Sequence, residues 1–451
     1  MEKNLTTGSV WKTIVFFSLP YLLSYFLQTL YGMADLFIIG QFEPVAGTTA
    51  VSIGSQVMHM ITVVIVGLAM GSTVTIGQNI GAGNKRKAAE TIGNTITLFL
   101  SLSVVFMLLL LLLVKPIVSV MSTPQEAVSG TAAYLIICFL GIPCITAYNI
   151  LSSIFRGLGD SKSPMYFIAV ACAANIALDY LFIGALHLGP AGAALGTTLA
   201  QAISVVTAFA SIRKKETGIS LHKQDFIPKR PVLKQLLRIG IPVALQDGFI
   251  QISFLLITVI ANRRGLTDSA AVGIVEKIIS FLFLVPSSML ACVSALGAQN
   301  IGAGKPQRAK QTLRCAVLIT VTFGVIVAVS MQFCSKSVVQ LFTADALVAA
   351  AGSQYLRGYI FDCIFAGIHF SFSGYFCACG RSELSFLHNI LAILLARIPG
   401  VYLTSTLFPS SLFPMGLATS AGSFVSVLIC LIAYAYLNKT NAGYRVGSGK
   451  K

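Results

Sequence analysis

Gln78-Asn79-Ile80-Gly81-Ala82-Gly83 decides the architecture, because the same six residues return as Gln299-Asn300-Ile301-Gly302-Ala303-Gly304. The copies lie 221 residues apart in a chain of 451. Each closes a long apolar segment and precedes basic residues, Lys85-Arg86-Lys87 after the first and Lys305 and Arg308 after the second. Other landmarks keep nearly the same shift: Pro20 and Pro242, Tyr134-Leu135 and Tyr355-Leu356, Gly159 and Gly380, Pro190-Ala191-Gly192 and Pro414-Met415-Gly416. A repeat of this length implies two similar halves, and the seam between such halves is where a membrane protein binds a transported molecule. The glycines read as helix C-terminal caps. The string lacks the lysine and the following Ser/Thr of a nucleotide-binding loop.

Hydrophobic residues make up 56% of the chain and charged residues 10%, which excludes an ordinary soluble domain. Apolar stretches near twenty residues, long enough to cross about 30 Å of hydrocarbon, recur throughout. They predict twelve spans, at roughly 12–38, 48–76, 90–114, 130–154, 164–186, 192–212, 236–261, 269–297, 311–333, 350–376, 385–408 and 415–437. The halves are 1–212 and 235–451, joined by a basic, proline-containing linker at 213–234. Six spans return the chain to its starting side, so the second half starts in the same orientation as the first. The expected fold is an all-α membrane protein of twelve transmembrane helices. These form two six-helix bundles, an N-lobe and a C-lobe, related by a pseudo-two-fold axis along the membrane normal.

The net charge of +16 does not point to nucleic acid, because the basic residues are dispersed among short loops. Most Lys and Arg fall in even-numbered connections and at the ends of the chain; Arg263-Arg264 is the main exception. The bias places both termini in the cytoplasm. The start of the chain shows no cleavable signal pattern. The ten cysteines lie mostly inside spans without metal-ligand spacing, and no resident metal or cofactor is expected.

Five of the fifteen acidic residues fall inside spans: Asp35, Asp179, Asp247, Glu276 and Asp362. A carboxylate at membrane depth costs about 2.5–3.5 kcal/mol on insertion scales, so each either ties helices together or serves transport. Gln28, Tyr31 and Asp35 share a helix face, as do Asn175 and Asp179. Topology puts Asp35, Asn175, Asp179 and Thr197 at similar depth in one half, where they can share a proton or ligate a bare Na⁺ with oxygens. Asp247, Glu276 and Asp362 form a second candidate site, with Arg397 available to neutralise one of them. Gln28 and Tyr31 are candidate substrate contacts. Pro20, matched by Pro242, is either a static kink or a hinge. His59 has no acidic partner at helical spacing and reads as structural. The loops are too short to build an enzyme, so energy is expected from an ion gradient.

The chain resembles multidrug and toxic compound extrusion (MATE) transporters along essentially its whole length. The resemblance is carried by Gly77-Gln78-Asn79-Ile80-Gly81-Ala82-Gly83 and its second copy, and by Pro20 with Ala34-Asp35-Leu36-Phe37-Ile38-Ile39-Gly40. Phe155-Arg156-Gly157-Leu158-Gly159-Asp160, and Asn175 and Asp179 followed by Gly192-Ala193-Ala194-Leu195-Gly196-Thr197, complete it. It implies an antiporter in a bacterial inner membrane, expelling amphipathic, mostly cationic organic compounds by alternating access while H⁺ or Na⁺ enters. In members of the DNA-damage-inducible branch the cluster matching Asp35, Asn175, Asp179 and Thr197 binds the coupling cation. Other branches use acids where Asp247, Glu276 and Asp362 fall. The partners expected are small-molecule cations and the bilayer, with no nucleic acid, and the protein is expected to act as a monomer. The rival reading is a lipid-linked saccharide flippase of the same superfamily. It would call for several cleft cations, whereas the spans hold few (Lys277, Arg397 and Arg357).

Overall fold

The computed structural model describes residues 5–214 and 219–440, and all regular structure among them is helical. The outermost residues at both ends and residues 215–218 of the linker, all expected in the cytoplasm, lie outside the described residues.

Ten helices are long and apolar enough to cross a membrane, and two bent helix pairs bring the number to twelve if each pair is one span. The first half contains α1 (Val10–Phe42), α2 (Val45–Gly81), α3 (Lys85–Leu112), the short α4 (Val114–Val120), α5 (Val128–Leu140), α6 (Ile142–Gly157), α7 (Lys162–Asp179) and α8 (Gly189–Lys214). The second contains α9 (Arg230–Asn262), α10 (Leu266–Leu282), α11 (Leu284–Gly302), α12 (Pro306–Gln340), α13 (Ala346–Tyr359), α14 (Asp362–Ala378), α15 (Ser382–Ala392), α16 (Ile398–Leu407) and α17 (Phe413–Thr440). The fourth and tenth spans are broken where the hydropathy pattern predicted single helices. Gln125–Leu140 meets α6 at 50° and α13 meets α14 at 42°. Pro143 lies in the first turn of α6 and Gly141 at the bend, where a Cβ would lie 2.6 Å from Thr198 Cγ2. Large apolar side chains such as Phe16, Leu112, Ile326 and Phe333 stay exposed, the surface a lipid-facing bundle requires.

The repeated string ends α2 and α11 in the same way. Gly83 and Gly304 adopt φ of +70° and +69°, a left-handed conformation that glycine enters without a Cβ clash. Asn84 N–H then donates to Asn79 O at 2.9 Å and Lys305 N–H to Asn300 O at 2.8 Å, satisfying carbonyls the helix leaves open. Gly159 and Gly380 close α6 and α14 with the same geometry, through Asp160 N–H to Phe155 O and Arg381 N–H to Phe376 O, both 2.9 Å.

Contacts divide the chain into two compact units, one holding Leu19–Gly240 and the other Leu5–Ser18 with Ile241 onward. In the first, Ile39, Val51, Leu135, Phe139 and Ala193 form a buried core; in the second, Ile257, Val272, Ile279, Tyr355 and Ile360 do so. The start of α9 packs backbone to backbone on α2 within the first unit. A Cβ at Gly71 would lie 2.1 Å from Leu236 O, and one at Gly240 2.4 Å from Leu68 O. The basic residue after each string pins the segment leading into a long helix. Arg86 Nη1 donates to Asp225 Oδ2 at 2.9 Å, ahead of α9. Arg308 donates to Thr7 O and Gly8 O, both 2.7 Å, ahead of α1.

Arg264, half of the exception in the charge pattern, is a loop staple. It pairs with Asp268 at 2.7 Å and donates to the carbonyls of Ser405, Phe408, Pro409 and Ser411. Such an arginine is held by structure and carries little information about membrane orientation.

Candidate coupling-ion site

Asp35 lies on α1, Asn175 and Asp179 on the last turns of α7, and Thr197 on α8. α7 does not continue regularly beyond Asp179. Residues Tyr180–Ala185 form a π-helical turn, a local widening that often accompanies functional positions. All four side chains are buried, Asn175 and Asp179 completely. Thr197 Oγ1 donates to Asp35 Oδ2 at 3.1 Å, and Asp179 and Asn175 are the other polar neighbours of Asp35. Asp35 Oδ1, both carboxylate oxygens of Asp179 and both polar atoms of Asn175 make no well-formed hydrogen bond among the described residues. Among the described residues no Lys or Arg reaches either carboxylate. Two buried carboxylates side by side with no counter-charge cannot both remain bare, so the arrangement needs a shared proton or a cation between the oxygens.

Gly196 completes the cradle. A Cβ there would lie 2.1 Å from Asp179 Oδ1, so any side chain would displace the carboxylate. In the sequence Gly196 reads as a motif residue small enough for close helix approach; that the group it admits is the Asp179 carboxylate carries no local signal. Tyr31 stands beside Asp35, Asp179, Cys138 and Gln201, whereas Gln28 lies by Tyr148, away from the acids.

The acids of the second half do not form one group. Arg397 Nη2 donates to Asp362 Oδ2 at 2.7 Å, with both side chains buried. Arg397 also lines a small cavity of about 40 Å³ with His369, Asn389, Phe254 and Phe283. Glu276 Oε2 accepts from Thr258 Oγ1 at 3.3 Å and shares the surroundings of Tyr355 with Asp362 and Arg397. Asp247 stands apart from them, near Cys377.

A family model described as MatE matches residues 20–181 and again 242–403, two stretches displaced by the repeat. The chain belongs to the MatE family. It is a membrane transporter and not an enzyme. Among similar proteins, the probable multidrug resistance protein YpnP of Bacillus subtilis (strain 168) is 28% identical over 397 residues, 88% of each chain. The multidrug export protein MepA of Staphylococcus haemolyticus (strain JCSC1435) is 25% identical over 404 residues, 89% of this chain and 88% of MepA. A solved outward-facing structure of a multidrug resistance MATE transporter superposes with a TM-score of 0.90 at 23% identity, covering 98% of both chains. At that identity the likeness establishes the MATE fold.

Proposed function

We propose that this MATE protein is a secondary active antiporter that exports amphipathic, mostly cationic organic compounds in exchange for H⁺ or Na⁺ by alternating access. The observation that carries the reading is the uncompensated pair Asp35 and Asp179, with orphaned oxygens turned into a buried site. Residues that only tied helices together would be satisfied by partners. Asn175 and Thr197 add an amide oxygen and a hydroxyl, a donor set that suits either a proton or Na⁺. Arrival of the ion neutralises the pair, and its departure restores negative charge. Ion and cationic cargo are thereby coupled, since each favours a different charge state. The names of the relatives, multidrug resistance and export proteins, support the cargo class.

Both termini lie in the cytoplasm of a bacterial inner membrane, and the protein acts as a monomer of the DNA-damage-inducible branch. Pro20 serves as a hinge. It lacks the N–H that would bond Phe16 O, and it follows closely the Ser18–Leu19 junction at which α1 passes from one unit to the other.

The test is ethidium or norfloxacin efflux in a pump-deficient bacterium, driven separately by proton and sodium gradients. Efflux under one gradient that is lost in Asp35→Asn, with membrane insertion retained, is the expected result. Normal efflux by the variant sinks the role of Asp35, and no efflux by the native chain under either gradient sinks the antiporter.

A further inference from the structure

Arg156 stands in the last turn of α6, inside the span rather than in the loop after it. Its guanidinium lies over the Tyr21 ring at 4.9 Å from the centroid, with Tyr25 and Tyr148 as the other ionisable neighbours. No carboxylate pairs with it among the described residues, and Arg156 Nε is buried without a hydrogen-bond partner. A guanidinium with no counter-ion at the edge of a bilayer is costly unless an anion comes to it.

Two further donors share its face. Tyr148, Ser152 and Arg156 are spaced by four residues, and a long helical side chain leans toward the helix N-terminus, so Arg156 reaches back over Ser152 toward Tyr148. Tyr148 neighbours Ser152 and Gln28, and neither its Oη nor Ser152 Oγ makes a well-formed hydrogen bond among the described residues, in side chains only 2% and 1% exposed. All of these residues belong to the unit that holds Leu19–Gly240.

The repeat provides an internal comparison. At the offset that relates Phe155 to Phe376 and Gly159 to Gly380, Ser152 becomes Ser373 and Arg156 becomes Cys377. The helix end therefore packs without a cation in the second half, where Cys377 is buried. The C-terminal carbonyls of α6 do not require arginine either, since the glycine cap satisfies them as in α14.

We propose that Arg156, Ser152 and Tyr148 form an oxyanion site for a phosphate group. A guanidinium fork and two hydroxyls offer convergent donors to a tetrahedral anion, and tyrosine rings flank it. A phospholipid headgroup lies at the depth where α6 ends, and a free phosphate presents the same chemistry. The site is separate from Asp35 and Asp179 and does not depend on the transport reading.

The test measures binding to the purified full chain by native mass spectrometry and thermal shift, with phosphatidylglycerol in one arm and inorganic phosphate in the other. The expected result is retained, stabilising phosphatidylglycerol, bound about tenfold or more weakly by Arg156→Gln. Stabilisation by inorganic phosphate alone, lost in Arg156→Gln, assigns the site to a soluble phosphate. Equal binding by native and variant chains overturns the proposal, as does no binding of either. Tyr148→Phe and Ser152→Ala remove one donor each and keep the cation. Should Arg156→Gln fail to fold, weaker phosphate binding by these two supports the site and unchanged binding overturns it.

Discussion

Gly196 faces the carboxylate of Asp179 so closely that a Cβ on Gly196 would lie 2.1 Å from Asp179 Oδ1. The contact is with the end of a short side chain rather than with backbone. A methyl group there therefore turns Asp179 away and leaves α7 and α8 packed. Gly196→Ala is expected to insert and fold normally and to lose at least tenfold in gradient-driven efflux. Native transport rates in that variant would show that the position of Asp179 is irrelevant to transport.

Asp35 and Asp179 are expected to act as one unit. Asp35→Asn and Asp179→Asn should each reduce efflux to background, and the double variant should be no worse than either single one. Residues that share one ion have non-additive effects. Efflux measured in vesicles checks this, and two partial losses that multiply would show two independent sites.

Most span positions were legible because the membrane demands long apolar helices, and the matching ends of α2 and α11 because the glycine caps recur at a fixed offset. The breaks at Gly141 and near Ile360 were not, since a bent span keeps the hydropathy of a straight one. Equal depth linked Asp35, Asn175, Asp179 and Thr197 in the sequence. Their proximity, and the absence of a neutralising cation, needed three dimensions. Depth failed to separate Asp362, paired with Arg397, from Asp247, which stands elsewhere. Arg264 stood out as an exception to the charge pattern because sequence does not show the four carbonyls that hold it.

The linker should loosen in acid. Asp225 is fully buried, and its carboxyl is held below the usual aspartate range by the His222 backbone N–H and then by Arg86, against the effect of burial. Asn94 grips the same segment through Asp225 O at 2.9 Å and Lys229 N at 2.7 Å. A depressed carboxylate stabilises the docked linker above its free value of about 4, and that stability is lost as pH falls through the lower, docked value. Protection of residues 219–229 against hydrogen exchange, taken relative to the intrinsic rate at each pH, is expected to be high at neutral pH and to fall only below about pH 4. Asp225→Asn should show the faster exchange already at neutral pH. Equal protection in the variant and the native chain would remove Asp225 from the clamp.

Arg397 and Asp362 allow the second-half acids to be classified by stability. Removing one partner of a buried pair leaves the other charge unpaired, at a cost of about 3–5 kcal/mol, whereas replacing both with neutral groups is often close to neutral. Arg397→Met should therefore lower the melting temperature strongly. Arg397→Met with Asp362→Asn should recover most of the loss and keep its ion dependence of efflux. A pair that instead exchanged partners during transport would behave differently. The double variant would then be stable yet silent, and Na⁺ or H⁺ dependence would disappear with Asp362. Melting curves of the three proteins, followed by efflux under each gradient, separate a structural tie from a coupling site.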